Sequence, residues 1–149
     1  MDELRELYQE VFLDHNKNPK NFRELEVPTH TSEGYNPLCG DRVHLFLKIE
    51  NGRIADIGFT GSGCAISKAS ASVMTTEIKG KSIEESKELF KKFQKVITGA
   101  DQQIDVSKMG KLAVFAGVRE FPVRVKCAAL AWHTLLAALE KTSDMVSTE

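Results

Sequence analysis

Residues 41 to 60 constrain this chain more than any other stretch. Val43, Leu45, Leu47 and Ile49 alternate with Arg42, His44, Phe46 and Lys48, a pattern that gives a strand one apolar face. Asn51-Gly52 follows. This pair suits a two-residue hairpin turn, whose central residues both need positive φ. Ala55, Ile57 and Phe59 resume the alternation and are expected to supply the buried face of the return strand. An antiparallel hairpin with one apolar face has to be covered by another layer.

Helices supply that layer. Leu4, Leu7, Tyr8, Val11 and Phe12 repeat at helical spacing across residues 2 to 15, before Asn16-Lys17-Asn18-Pro19 breaks the pattern. The glycine-rich turn Thr60-Gly61-Ser62-Gly63-Cys64 leads into Ala65 to Lys79, a breaker-free run of small residues read as a helix ending at Gly80. Ser82 and Glu85 form a capping box for a helix reaching about Thr98, with Ile83, Leu89, Phe90, Phe93, Val96 and Ile97 as its stripe and Gly99 as its stop. Ser107 to Ala116 is expected to form a short helix stopped by Gly117. Pro122 fits the first turn of a last helix running to about Lys141, with Thr142 to Glu149 as a frayed tail. The order implies an α+β fold, and the 149 residues fit one domain over 1–149.

Bulk properties exclude several functions. A net charge of −1 weighs against a general nucleic-acid binder. No run of about 18 apolar residues is present to span a membrane. The start, Met1-Asp2-Glu3-Leu4-Arg5-Glu6, is unlike a secretory signal. A cytoplasmic protein is expected, in which the three cysteines stay reduced.

Those cysteines all fall near the ends of elements. Cys39 precedes the hairpin in Asn36-Pro37-Leu38-Cys39-Gly40-Asp41. Cys64 opens one helix and Cys127 lies near the start of another. Helix N-termini favour the thiolate, the form that binds metal and attacks sulfur, and Arg124 and Lys126 add positive charge beside Cys127. If Cys39 and Asp41 lie on extended backbone, their side chains share a face. Cys39, Asp41, Cys64 and Cys127 then make a four-coordinate set suited to zinc or iron. The other reading of the same spacing is three unrelated buried thiols, since free cysteine is commonly buried. His15, His30, His44 and His133 are taken as surface residues or as neighbours of the ligands. His133 sits about 240° round the helix from Cys127 and does not share its face. Trp132 is read as packing.

Three motifs carry a resemblance. Gly34-Tyr35-Asn36-Pro37-Leu38-Cys39-Gly40-Asp41, then Gly61-Ser62-Gly63-Cys64-Ala65-Ile66-Ser67, then the third cysteine, are similar to the IscU/NifU N-terminal family of iron–sulfur cluster assembly proteins. The likeness runs from the first helix to about residue 141. IscU-type scaffolds carry a histidine just before the third cysteine, where this chain has Lys126. The stretch between Cys64 and Cys127 is also longer, with residues 100 to 121 as the extra part. Both features resemble the SufU branch.

The resemblance implies a small three-stranded antiparallel sheet packed with five to six helices, its first short strand near Tyr35. It implies a zinc-dependent sulfurtransferase that takes persulfide sulfur from a SufS-type cysteine desulfurase and supplies a downstream cluster scaffold. Cys39, Asp41, Cys64 and Cys127 would be the metal ligands, with Cys39 the persulfide acceptor once a histidine of the desulfurase has replaced it on zinc. Arg124 would offset site charge and help dock the partner. Two other functions remain open: an IscU-like scaffold carrying a transient [2Fe–2S] cluster, and a structural zinc module with no reactive cysteine.

Overall fold

The computed structural model describes residues 2–99, 106–140 and 146–147. The hairpin forms from β2 (Asp41–Glu50) and β3 (Arg53–Ser62). Asn51 and Gly52 take φ of 54° and 74°, the left-handed pair this tight turn requires. Register slips between Lys48 and Ile49, where Ile49 faces Ile54 and Lys48 faces Asp56. Ala55 is therefore an extra residue in a β-bulge. It points to solvent, and Ile54 takes the core position expected of it. A bulge reverses the alternation on one strand only, so simple period-two counting fails there.

A third strand, β1 (His30–Asn36), pairs antiparallel with β2 along its whole length. Its inward residues are Ser32, Gly34 and Asn36, so it lacks the apolar alternation that marks a strand in sequence. The family resemblance, not the residue pattern, pointed to it. The tail expected to fray instead contributes β4 (Val146–Ser147), which lies parallel to Gly34 and Tyr35 and shields part of the β1 edge. Sheet order is β3-β2-β1-β4. Lys141 to Met145, Thr148 and Glu149 lie outside the described residues.

Among the described residues, four α-helices and a 3₁₀ stretch complete the α+β fold. They are α1 (Asp2–Lys17), α2 (Ala65–Ile78), α3 (Ile83–Thr98), the 3₁₀ stretch Val106–Glu120 and α4 (Pro122–Leu139). The side chains of Leu4, Leu7 and Tyr8 are outside the described set. In α3 both arms of the capping box form: Ser82 Oγ accepts from Glu85 N–H at 3.1 Å, and Glu85 Oε1 accepts from Ser82 N–H at 3.0 Å. The short helix expected to stop at Gly117 runs through it, as 3₁₀ turns broken at Gly110. Its Leu112, Ala113 and Phe115 are buried, and Phe115 meets Phe12 and Phe93 edge-on at 6.3 and 5.9 Å. The described part of the stretch expected to be extra therefore fills core between α1 and α3.

The centre is α4. Its residues from Cys127 to Leu139 are buried apart from His133 and Leu136, and it packs on β1, β2, α2 and α3. Trp132 is fully buried and stacks on Phe93 at 4.6 Å. Among the described residues, no helix is long and apolar enough to cross a membrane.

One histidine departs from its expected place. His15 is 2% exposed, and its Nδ1 meets Ser72 Oγ at 2.6 Å. Burial first, then Lys111, holds its pKa below the usual histidine value, with Asp14 opposing and Lys20 assisting. Burial does the same to His133. Both imidazoles therefore bind a proton less readily in the folded chain than in the unfolded one, where histidine takes up protons near pH 6.5. Stability should therefore fall as pH drops below about 6.5. Urea midpoints between pH 7.5 and 5.5 should show this decline, and His15→Gln should flatten part of it.

Candidate metal centre

Asn36 builds the turn between β1 and β2. Its backbone carbonyl accepts from Gly40 N–H at 2.8 Å, and its Oδ1 accepts from Leu38 N–H at 3.2 Å. This Asx turn places Cys39 on the exposed loop and returns the chain so that Asp41 pairs directly with Asn36. Cys39 and Asp41 are thus brought together by a turn rather than by one extended strand.

Asp41 is fully buried. Its Oδ1 accepts from Cys64 N–H at 2.7 Å and its Oδ2 from Asn36 Nδ2 at 3.2 Å. Gly63 makes the first bond possible. Its φ is 151°, and a Cβ there would stand 2.9 Å from Asp41 Cα, too close for any side chain. The close approach of Gly63 is therefore to the carboxylate.

Cys64 is the N-cap of α2. Its Sγ accepts from Ser67 N–H at 3.4 Å and lies 3.9 Å from Asp41 Oδ2. A helix start favours the thiolate there. Cys127 is placed differently, in the second turn of α4 and 2% exposed. Its Sγ lies 3.4 Å from Cys39 Sγ and 3.5 Å from Asn36 Nδ2. The expected help from the helix terminus does not prevail at this depth, because that effect fades within the first turn. Burial, then the neighbouring Cys39, Cys64 and Asp41, push the Cys127 thiol pKa far up.

The ligand atoms of Cys39, Asp41 and Cys127 all lie within 4.8 Å of one another, with Cys64 beside them. Such a group resists ionising together, since each negative charge raises the cost of the next. A divalent cation reverses that balance. Sulfur donors with one carboxylate fit zinc or iron, and fit magnesium or calcium poorly. Among the described residues, none of the four histidines joins the group. His44 lies 3.7 Å from Glu33, His133 meets Phe90 edge-on at 5.2 Å, and His30 bonds Thr29.

The sulfurs open into a groove of about 570 Å³ lined by Cys39, Cys64, Ile66, Phe121, Val123, Arg124 and Cys127. Leu38, Phe121 and Val123 are 57%, 47% and 49% exposed, an unusual amount of apolar surface around thiols. Arg124 lays its guanidinium 4.6 Å over the Phe121 ring, so its charge sits at the rim. Asn36 is the residue that sequence reasoning missed. Asn-Pro signals a turn, but a contact across 91 positions to Cys127 leaves no local mark.

The sequence pattern of the NifU-like N terminal domain matches residues 7–142. The chain is 40% identical over 138 residues to the zinc-dependent sulfurtransferase SufU of Bacillus subtilis (strain 168), covering 93% of this chain and 92% of that protein. It is 41% identical over 138 residues to the iron–sulfur cluster assembly scaffold protein IscU of Thermotoga maritima, covering 92% and 95%. A crystal structure from Fervidobacterium islandicum, named as a cluster assembly scaffold for the SUF system, superposes with a TM-score of 0.81 at 37% identity, covering 87% and 94%.

Exposure orders the thiols in the metal-free chain. Iodoacetamide should modify the exposed Cys39 first, the half-buried Cys64 next and the buried Cys127 last. Peptide mass spectrometry over a time course checks that order, and a fast Cys127 would contradict the burial described above.

Proposed function

The chain belongs to the NifU-like N-terminal domain family, and from that premise we propose that it serves iron–sulfur cluster assembly as a zinc-dependent acceptor of sulfur from a SufS-type cysteine desulfurase. The observation that carries this reading is the contrast between Cys39 and its neighbours. Cys39 stands on an exposed turn, while Asp41 and Cys127 are buried behind it. Asp41 is also held by two hydrogen bonds. A carboxylate is the weaker donor for zinc, yet burial makes Asp41 the fixed ligand and leaves Cys39 as the one free to move.

Cys39, Asp41, Cys64 and Cys127 would hold the zinc ion. When bound, zinc supplies the positive charge that keeps the thiols ionised at neutral pH. The Cys39 thiolate attacks the outer sulfur of the desulfurase persulfide. A new S–S bond forms on Cys39, the old one breaks, and the desulfurase cysteine leaves as its thiolate. No net oxidation takes place in this exchange.

The rim fits a protein donor. Leu38, Phe121 and Val123 offer apolar contact, and Arg124 offers a charge stacked over the Phe121 ring. Lys126 stands where IscU-type scaffolds have histidine, which favours transfer over cluster storage. Sulfur would pass on to a cluster scaffold, in the cytoplasm, from a single domain whose only large partners are proteins. A scaffold function is the second reading. It is favoured by the IscU-named relative at 41% identity and by three thiols facing one groove.

Cysteine turnover by a SufS-type desulfurase, with and without the zinc-loaded chain, separates the two. Strong stimulation that disappears in Cys39→Ser is the expected result. An absence of stimulation, together with anaerobic assembly of a stable cluster on the chain, would instead establish the scaffold.

A further inference from the structure

The amide of Asn36 uses three of its four hydrogen-bonding positions, and each bond goes to a different part of the site. Oδ1 accepts from Leu38 N–H and sets the turn that carries Cys39. Nδ2 donates to Asp41 Oδ2, 3.2 Å away on the neighbouring strand. The same Nδ2 also donates to Cys127 Sγ, 3.5 Å away on the helix packed beneath. The residue is fully buried, so water does not compete for these contacts. Two N–H donors matched to two acceptors that carry negative charge in the metal-bound form leave neither proton unused.

We propose that Asn36 is a positioning residue for the metal centre: it orients Asp41 and Cys127 toward one ion and ties both to the turn bearing Cys39. This rests on the reading of Cys39, Asp41, Cys64 and Cys127 as zinc ligands. The choice of an amide follows from charge. A lysine or arginine would neutralise a carboxylate or thiolate that the metal needs as a strong donor. A second carboxylate would repel both. A neutral donor fixes their direction and leaves their charge for the ion. A serine would serve the turn but is too short to span strand and helix. The geometry also explains how one ligand can leave while the others stay. Asn36 donates to the two buried ligands and makes no side-chain bond to Cys39 Sγ among the contacts described.

The alternative is that Asn36 merely shapes the turn, and Asn36→Ser separates the two roles. Serine retains an oxygen that can accept from Leu38 N–H and loses both amide donors. Zinc affinity, measured by competition with a chromophoric chelator, should fall about 10- to 100-fold in Asn36→Ser, and no less in Asn36→Ala. Metal-free thermal unfolding should show that the serine variant folds. Affinity of the serine variant within about twofold of wild type would overturn the proposal. In the zinc-loaded wild type, the two Asn36 Nδ2 protons should also give separate NMR signals that exchange slowly with solvent. Rapid exchange there would overturn it without any variant. A wild-type chain that takes up no zinc would overturn both this proposal and the ligand reading beneath it. Normal wild-type uptake with an unaffected serine variant would overturn this proposal alone.

Discussion

Everything in this fold is arranged around the burial of α4. From Cys127 to Leu139 the helix is covered nearly all round, by the sheet on one side and by α2, α3 and the 3₁₀ stretch on others. A helix that apolar is stable only inside a core. Each large side chain buried there contributes about 1.5–3 kcal/mol, offset by the entropy of ordering the chain. Its N-terminal end meets the β1–β2 turn and the start of α2. The same packing that stabilises the domain therefore brings Cys127 up to Cys39, Asp41 and Cys64.

That junction imposes its own condition. Asp41 is a fully buried carboxylate, and a buried charge is strongly unfavourable unless it is paired or hydrogen-bonded. Asn36 and the Cys64 N–H meet the requirement from two elements, and Gly63 removes the side chain that would prevent the second contact. Cys127 lies beside it with its thiol held protonated by burial and by neighbouring acids. The site thus combines a fixed, buried group with an exposed Cys39, so that Cys39 can move without disturbing the residues behind it.

Much of the secondary structure was legible because it depends on local rules. The Asn51-Gly52 turn, the Ser82–Glu85 capping box, the Gly99 stop and the Pro122 start each reflect the preferences of one or two residues. Reading failed where neighbours overrode the pattern. A bulge displaced Ala55 from the core in favour of Ile54, and β1 buries Ser32, Gly34 and Asn36, which carry no apolar signal. His15 reads as an ordinary polar residue near a helix end, yet it is enclosed beside Ser72, 57 positions away. The motifs around Cys39 and Cys64 were visible, but the reason Asp41 accompanies Cys39 was not, because Cys39 lies in the turn ahead of the strand that Asp41 begins.

The sequence by itself determined most of the elements, the family and the four candidate ligands Cys39, Asp41, Cys64 and Cys127, because each is encoded by short spacings or by side-chain type. Tertiary structure alone decided their relations: which sulfur is exposed, which carboxylate is held, and which amide joins them. Those relations arise between residues as much as 91 positions apart. Contacts at that separation depend on how whole elements pack and on what burial does to a charge, and neither is written in any local run of residues.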